Sequence, residues 1–162
     1  KKMNSGALLD GAKIKGAFGM LIGAAANPYL KPVELNLIRV AKKIAAGANF
    51  IQTQAVFDVT AFKEWLDALK KKGYTDKVVL LAGVLPLQSA AQAKELAEKH
   101  TDFVIPAAII ERLQKAGDAA AQRKEGIKIA AETIKELKGL PGLRGIHILS
   151  GGNESAVPEL IS

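Results

Sequence analysis

The stretch that decides the fold is residues 47–73, GANFIQTQAVFDVTAFKEWLDALKKKG. Its first third is apolar and predicts a buried strand that ends near Phe57. Asp58 has the side chain of a helix N-cap, and Gly73 is a typical helix end. Between them, apolar residues at helical spacing form one stripe: Phe62, Trp65, Leu66 and Leu69. The stretch therefore predicts a strand followed directly by a helix.

The same alternation continues on both sides of this unit. Unbroken apolar runs and helical spacing predict strands at 17–26, 77–86 and 143–150, helices at 33–46, 89–100, 107–117 and 118–139, and a short strand remnant at 103–106. Strands that alternate with helices form parallel sheets. The strands do not alternate polar with apolar residues, so we expect helices to cover both faces of the sheet.

The pattern favours one class of parallel fold. No GxGxxG or GxxxxGK[ST] phosphate loop follows a predicted strand, which argues against a nucleotide-binding doubly wound sheet. Unbroken strands without that loop are typical of a (β/α)8 barrel, which needs about 250 residues. The chain has 162 residues. We therefore expect an α/β fold, a partial (β/α)8 TIM barrel of about four βα units, as a single domain over residues 1–162.

Composition excludes several classes of function. The sequence has no cysteine, which excludes disulfides, thiolate nucleophiles and zinc bound by cysteine, and no other metal site is predicted. The net charge is +7, but the lysines are scattered among acidic residues and aromatic residues make up only 5%. This pattern favours attraction of small anions over binding of nucleic acid. No apolar run reaches the ~18 residues of a membrane span, and we expect a cytoplasmic protein.

Two amides interrupt the decisive strand. Gln52 and Gln54 follow an apolar run, where an unpaired polar group costs about 1–3 kcal/mol if it is buried. They either lie at the solvent end of the strand or point into a site. Residues alone leave both interpretations open. For helix 33–46, the spacing of the polar residues alone predicts no more than a solvated face.

Four segments resemble the methylenetetrahydrofolate reductase family, in order and in spacing: residues 45–69, 81–89, 105–137 and 142–150. The resemblance runs from about Phe18 to about Asn153 and covers the C-terminal half of that family's flavin-dependent barrel, most closely in its acetogen-type branch. It implies reduction of methylenetetrahydrofolate to methyltetrahydrofolate. In this reaction hydride passes from a nicotinamide donor to FAD and then to the folate.

The resemblance assigns a role to individual residues. Gln54 matches the glutamine that binds the pterin of the folate. The positions that contact FAD in the family correspond to Asn27, Lys31, Asn36, Arg39, Lys42 and Lys43. Asn27 and Lys31 replace a tyrosine and a histidine, Ala90 replaces an aromatic residue, and residues 150–156 replace a segment with tyrosine and arginine near the nicotinamide. His147 matches a strand histidine, which we interpret as a core residue.

The family's catalytic glutamate and flavin-side aspartate belong to the N-terminal half of the barrel, which we expect to be missing here, so no catalytic residue is assigned. The first hypothesis is therefore a flavoenzyme of this family, with this chain supplying part of the FAD and folate sites. The second is a non-catalytic half-barrel that binds or assembles with a copy of itself or a partner subunit. The third is an unrelated barrel for a phosphorylated metabolite; the missing glycine-rich phosphate loop near the last strand counts against it, but Gly151-Gly152 keeps it open.

Overall fold

The computed structural model describes residues 2–16, 18–100 and 102–161, and within these residues it has four strands and six α-helices. Short 3₁₀ turns lie at Met3–Ser5 and Glu154–Ala156. In chain order the elements are β1 (Gly23–Ala26), α1 (Val33–Ala45), β2 (Phe50–Ala55), α2 (Val59–Lys71), β3 (Val79–Val84), α3 (Ala90–Lys99), α4 (Ala107–Lys115), α5 (Ala119–Leu137), β4 (Gly145–Ile148) and α6 (Val157–Ile161).

The four strands form one parallel sheet in the order β1-β2-β3-β4. Each strand therefore lies beside the next one in the chain, with at least one helix between them. This singly wound α/β order is that of half a (β/α)8 barrel, and it confirms the predicted fold class. β1 and β4 are the two edges of the sheet within the described residues.

One face of the sheet, which we call the outer face, carries the main core. Ile51, Leu80, Ala82 and Val84 alternate along the strands and are buried. Three helices pack against them, through the following buried side chains: Leu37 and Val40 of α1, Phe62, Trp65, Leu66 and Leu69 of α2, and Ala130, Ile134 and Leu137 of α5. Each fully buried large side chain here contributes about 1.5–3 kcal/mol.

The opposite face, the inner face, has no helix layer in the described chain, so the expectation of two covered faces was wrong. Gln52 is exposed on this face, and Val79 is 42% exposed. Phe50 and Leu81 are half-buried. In a sheet that curves toward a barrel these residues line the lumen. The four described strands leave that lumen open.

A second apolar cluster covers the carboxyl edge of the central strands. Phe57, Leu85 and Leu87 follow β2 and β3, and they pack with Ala93 of α3 and Leu113 of α4. Gly126 of α5 lies so close to Leu87 that a Cβ there would overlap the Leu87 carbonyl. The α3–α4 pair therefore sits beside the strand ends.

Local signals set most boundaries. The side chains of Asp58, Ser89 and Asp118 accept from main-chain N–H groups in the first turns of α2, α3 and α5. Such a cap contributes about 1 kcal/mol. Gly47 ends the α1 segment with φ 100°, and Gly73 follows α2 with φ 66°, a region that favours glycine.

Two strand predictions were wrong. Instead of 17–26, β1 begins at Gly23; Phe18, Met20 and Leu21 are exposed, and Ala17 lies outside the described residues. An apolar run becomes a strand only where a neighbouring strand can pair with it. The pairing with the β2 segment ends at Ile22 and Asn49, where the Ile22 N–H donates to Oδ1 of Asn49 and the Asn49 N–H donates to the Ile22 carbonyl. Residues 103–106 form no strand. In the described chain no helix is long and apolar enough to cross a membrane.

Candidate functional site

The four parallel strands all end at the same edge of the sheet, which is where βα folds place their chemistry. The loops that follow begin at Asn27, Val56, Leu85 and Leu149. Polar groups gather at this edge in three places: the end of β2, the loop after β1 with α1, and the loop after β4.

Gln54 lies in a β-bulge at the end of β2. Gln52 pairs with Leu81, but the next pair is Ala55 with Gly83, so β2 has one extra residue here. Gln54 is half-buried; its main-chain carbonyl accepts a hydrogen bond, while its side-chain amide has no hydrogen-bond partner among the described residues. A free amide at this edge is available to a ligand.

The bulge rests on Thr53, whose side chain is buried. The N–H of Gly83 donates to the Thr53 hydroxyl over 3.0 Å, and that hydroxyl donates to the Gln54 carbonyl over 2.8 Å. The Thr53 carbonyl in turn lies 2.9 Å from Nε2 of His147. His147 is hydrogen-bonded but only half-buried, and it lies opposite Gly83 on the inner face, so it is not part of the buried core as we expected.

Asn27 and Asn36 are joined directly. The Asn36 amide donates to the Asn27 carbonyl over 2.8 Å and to the Leu30 carbonyl over 3.4 Å. The Asn27 side chain donates to Asp102 over 3.1 Å and accepts from the Tyr29 N–H over 2.9 Å. Both asparagines are buried. The spacing of residues alone predicted a solvated face for α1, and at Asn36 this prediction was wrong. Asn36 is buried, and its amide closes the loop after β1.

The cations of α1 follow Asn36 along the helix at positions i+3, i+6 and i+7. Arg39 and Lys42 are exposed, and Lys43 donates to the carbonyl of Ala25. Carbonyls alternate along a strand, and that of Ile22 accepts from Asn49 on the β2 side. The Ala25 carbonyl therefore faces the open edge of β1. Because residues three and four apart share a helix face, these three cations flank that edge.

Lys31 is exposed at a small cavity of about 170 Å³ between the start of α1 and the start of α2. Trp65 lines the cavity, and its indole N–H is buried without a partner in the described chain. Tyr29 also lines it and donates to the Asp58 carbonyl over 3.1 Å. Burial raises the pKa of the Tyr29 phenol above its ordinary value, so it stays a neutral donor.

Sequence patterns missed one polar pair at the loop after β4. Arg123 of α5 donates through Nε and Nη2 to Oδ1 of Asn153, which also accepts from the Ser155 hydroxyl. Asn153 is buried, and its amide nitrogen has no partner within the described residues. Arg123 and Asn153 are separated by 30 positions in the sequence, so no local pattern reveals this pair.

The described residues contain no group of three or more side chains that could hold a metal ion. The available chemistry is therefore amide hydrogen bonding at Gln54 and cationic attraction beside β1. The first lies at the end of β2, and the second lies beside the edge strand β1, which pairs with β2.

A family model described as methylenetetrahydrofolate reductase matches residues 18–162. The 5,10-methylenetetrahydrofolate reductase of Escherichia coli K12 is 31% identical over 122 residues, 75% of this chain and 40% of the relative. A probable methylenetetrahydrofolate reductase (NADPH) of Caenorhabditis elegans is 27% identical over 146 residues, 86% of this chain and 21% of the relative. The chain thus spans two fifths or less of these relatives.

A solved structure has the same fold. It is an uncharacterized protein from Clostridium thermocellum that binds two copies of 5-methyl-5,6,7,8-tetrahydrofolic acid. The TM-score is 0.62 at 21% identity, and the match covers 88% of this chain and 51% of that one. This likeness concerns the fold alone.

Proposed function

The chain belongs to the methylenetetrahydrofolate reductase family, and on that premise we propose that it supplies part of the folate and flavin sites of an enzyme of this type. The reaction would be reduction of 5,10-methylenetetrahydrofolate to 5-methyltetrahydrofolate. The observation that carries the proposal is the unengaged amide of Gln54 in a bulge at the carboxyl edge of the sheet.

The Gln54 amide has the chemistry that a pterin requires. A primary amide offers two N–H donors and a carbonyl acceptor, so it can bind a ring edge that both donates and accepts. The bulge fixes the main chain on both sides of this residue through the Thr53 hydroxyl and Gly83. Gln54 would thus orient the folate without a rearrangement of the strand.

The test is Gln54→Ala in the intact protein, with 5-methyltetrahydrofolate as the probe because the structural neighbour binds it. We expect affinity to fall by about 1–3 kcal/mol, since pterin groups lose their partner. Gln52→Ala is the matched control, because Gln52 is an exposed glutamine on the same strand. Unchanged folate affinity in calorimetry for Gln54→Ala would overturn the proposal.

The residues beside β1 fit the pyrophosphate of FAD, the flavin that would supply hydride to the folate. Within the described chain no carboxylate pairs with Arg39 or Lys42, so their charge is available to an anion. Lys43 lies against the same edge. The amides of Asn27 and Asn36 are already hydrogen-bonded. We assign the pyrophosphate to the three cations, and direct contacts from Asn27, Lys31 and Asn36 stay predictions.

Charge reversal tests the flavin assignment. Lys42→Glu with Lys43→Glu is expected to weaken FAD binding and to reduce its dependence on salt, because attractions that salt screens become repulsions. Lys70→Glu with Lys71→Glu makes the same change in the last turn of α2 and is the control. Equal FAD affinity of both double variants at low salt would show that Lys42 and Lys43 only lie on a solvated face and do not bind the cofactor.

One observation favours a second candidate function, a non-catalytic assembly module. Phe18, Met20 and Leu21 before β1 and Val79 on the inner face expose apolar surface, and open sheet edges promote association. The isolated chain is then expected to form dimers, larger assemblies or aggregates. Sedimentation across a dilution series measures this, and a compact monomer at high concentration would exclude it.

A further inference from the structure

The hydrogen-bond ladder between β2 and β3 changes partner at the bulge. Val79 donates from its N–H to the Asn49 carbonyl over 3.1 Å, and the ladder repeats at every second residue. Continued regularly, it would pair the Gly83 N–H with the Thr53 carbonyl. Instead the Gly83 N–H donates to the Thr53 hydroxyl. The Thr53 carbonyl is therefore released from the ladder.

His147 is hydrogen-bonded to this carbonyl although it lies two strands away, on β4. In the register it lies opposite Gly83 on β4, yet its Nε2 reaches Thr53 on β2. Gly83 lies between them, and a Cβ there would come within 2.6 Å of the Thr53 carbonyl oxygen. A carbonyl oxygen only accepts, so Nε2 is the nitrogen that carries the hydrogen.

We propose that His147 is a positioning residue for Gln54. The carbonyl that it holds belongs to the planar peptide between Thr53 and Gln54, so the bond fixes the start of the Gln54 main chain. The Thr53 hydroxyl holds the Gln54 carbonyl on the other side. With both flanking peptides held, the direction in which the Gln54 side chain leaves the main chain is set before a ligand arrives. This inference rests on the proposed binding of folate by Gln54.

The experiment compares two substitutions of His147 in the intact protein. His147→Leu removes the donor, and His147→Gln offers an amide N–H at a similar distance from the main chain. We expect His147→Leu to weaken binding of 5-methyltetrahydrofolate about 2- to 12-fold, the factor of one hydrogen bond. His147→Gln should stay within about twofold of the wild type. FAD affinity and the urea midpoint serve as controls for folding.

The same pair is then measured in the Gln54→Ala background, where His147→Leu should have no further effect on folate affinity. An effect that persists there would overturn the inference, because His147 would act on the ligand or on the whole fold. Equal losses in His147→Leu and His147→Gln would overturn it as well. If Gln54→Ala weakens binding and His147→Leu does not, only this inference fails. If Gln54→Ala has no effect, the proposed function fails first.

Discussion

The two faces of the sheet use the same strands in opposite ways. Leu80 and Leu81 are neighbours on β3, but Leu80 is 1% exposed against the helix layer, while Leu81 is half-buried on the inner face. On β2, buried Ile51 on the outer face is followed by exposed Gln52 on the inner face. The outer face thus supplies stability, and the inner face presents side chains to the lumen.

Polar side chains for binding cost less stability on the inner face than on the outer face. A polar side chain on the outer face would lose water without gaining a partner, whereas the inner face keeps Gln52 solvated. The pairing of β2 with β3 becomes irregular at the bulge of Thr53 and Gln54. Bulges re-aim side chains next to active sites. The most informative changes are therefore matched pairs across the two faces or at the bulge.

The largest difference is expected between Leu80→Ala and Leu81→Ala. Leu80→Ala opens a cavity in the outer core and should lower the free energy of unfolding by about 2–5 kcal/mol. Leu81→Ala removes a side chain that is half in solvent and should cost about 1 kcal/mol or less. Urea unfolding followed by the fluorescence of the single tryptophan, Trp65, measures both. Equal losses would show that the inner face is covered in solution.

Gly83→Ala and Gly145→Ala compare two glycines of the inner face. A Cβ at Gly83 would meet main-chain oxygens at 2.6 and 2.9 Å, whereas one at Gly145 meets only the flexible end of Leu81 at 3.1 Å. Overpacking against main chain should cost Gly83→Ala about 1–3 kcal/mol and weaken folate binding. Thermal unfolding and calorimetry measure the two effects. If Gly83→Ala changes neither stability nor folate affinity, the bulge can adjust to a Cβ at this position.

Thr53→Val and Thr133→Val compare a bulge hydroxyl with a helix hydroxyl. Thr53→Val leaves the Gly83 N–H without its acceptor and should cost about 1–2 kcal/mol. In α5, Thr133 only donates to the carbonyl of Ile129 one turn earlier, so its loss should cost about 0.5 kcal/mol or less. The urea midpoints of both variants measure the two losses of stability. Similar midpoints would show that the Thr53 hydroxyl contributes no more to stability than the Thr133 hydroxyl.

The smallest effect concerns the partly exposed contact between two helices, where Arg112 of α4 pairs with Glu125 and Glu132 of α5. The hydrogen bond from Arg112 lowers the pKa of Glu132 below its ordinary 4.5. Stability from a lowered carboxyl pKa is present above the ordinary pKa and disappears as pH falls through the folded value.

Arg112→Met should therefore cost about 0.2–1 kcal/mol at pH 7, because the pair is partly exposed. The difference from the wild type should shrink below about pH 4. Urea unfolding at several pH values measures it. A loss as large as that of Leu80→Ala would show that ion pairs rival packing in this layer.

Much of the fold could be predicted from local sequence. The alternation of strands and helices, the Asp58 cap and the glycine ends are set within a few residues, and each was confirmed. The first strand was predicted too long because an apolar run does not show how far a neighbouring strand extends. The resemblance placed Gln54 at the carboxyl edge, where the structure has it.

The amino-acid sequence by itself determined the order of the elements, the apolar stripes of the helices and the parallel sheet, because periodicity and capping act over one or two turns. Only the tertiary structure decided which polar groups are already engaged. Asn36 closes the loop after β1, and His147 holds the carbonyl of Thr53, 94 residues earlier in the chain. Such bonds join strands that touch only after folding, so no spacing in the sequence records them.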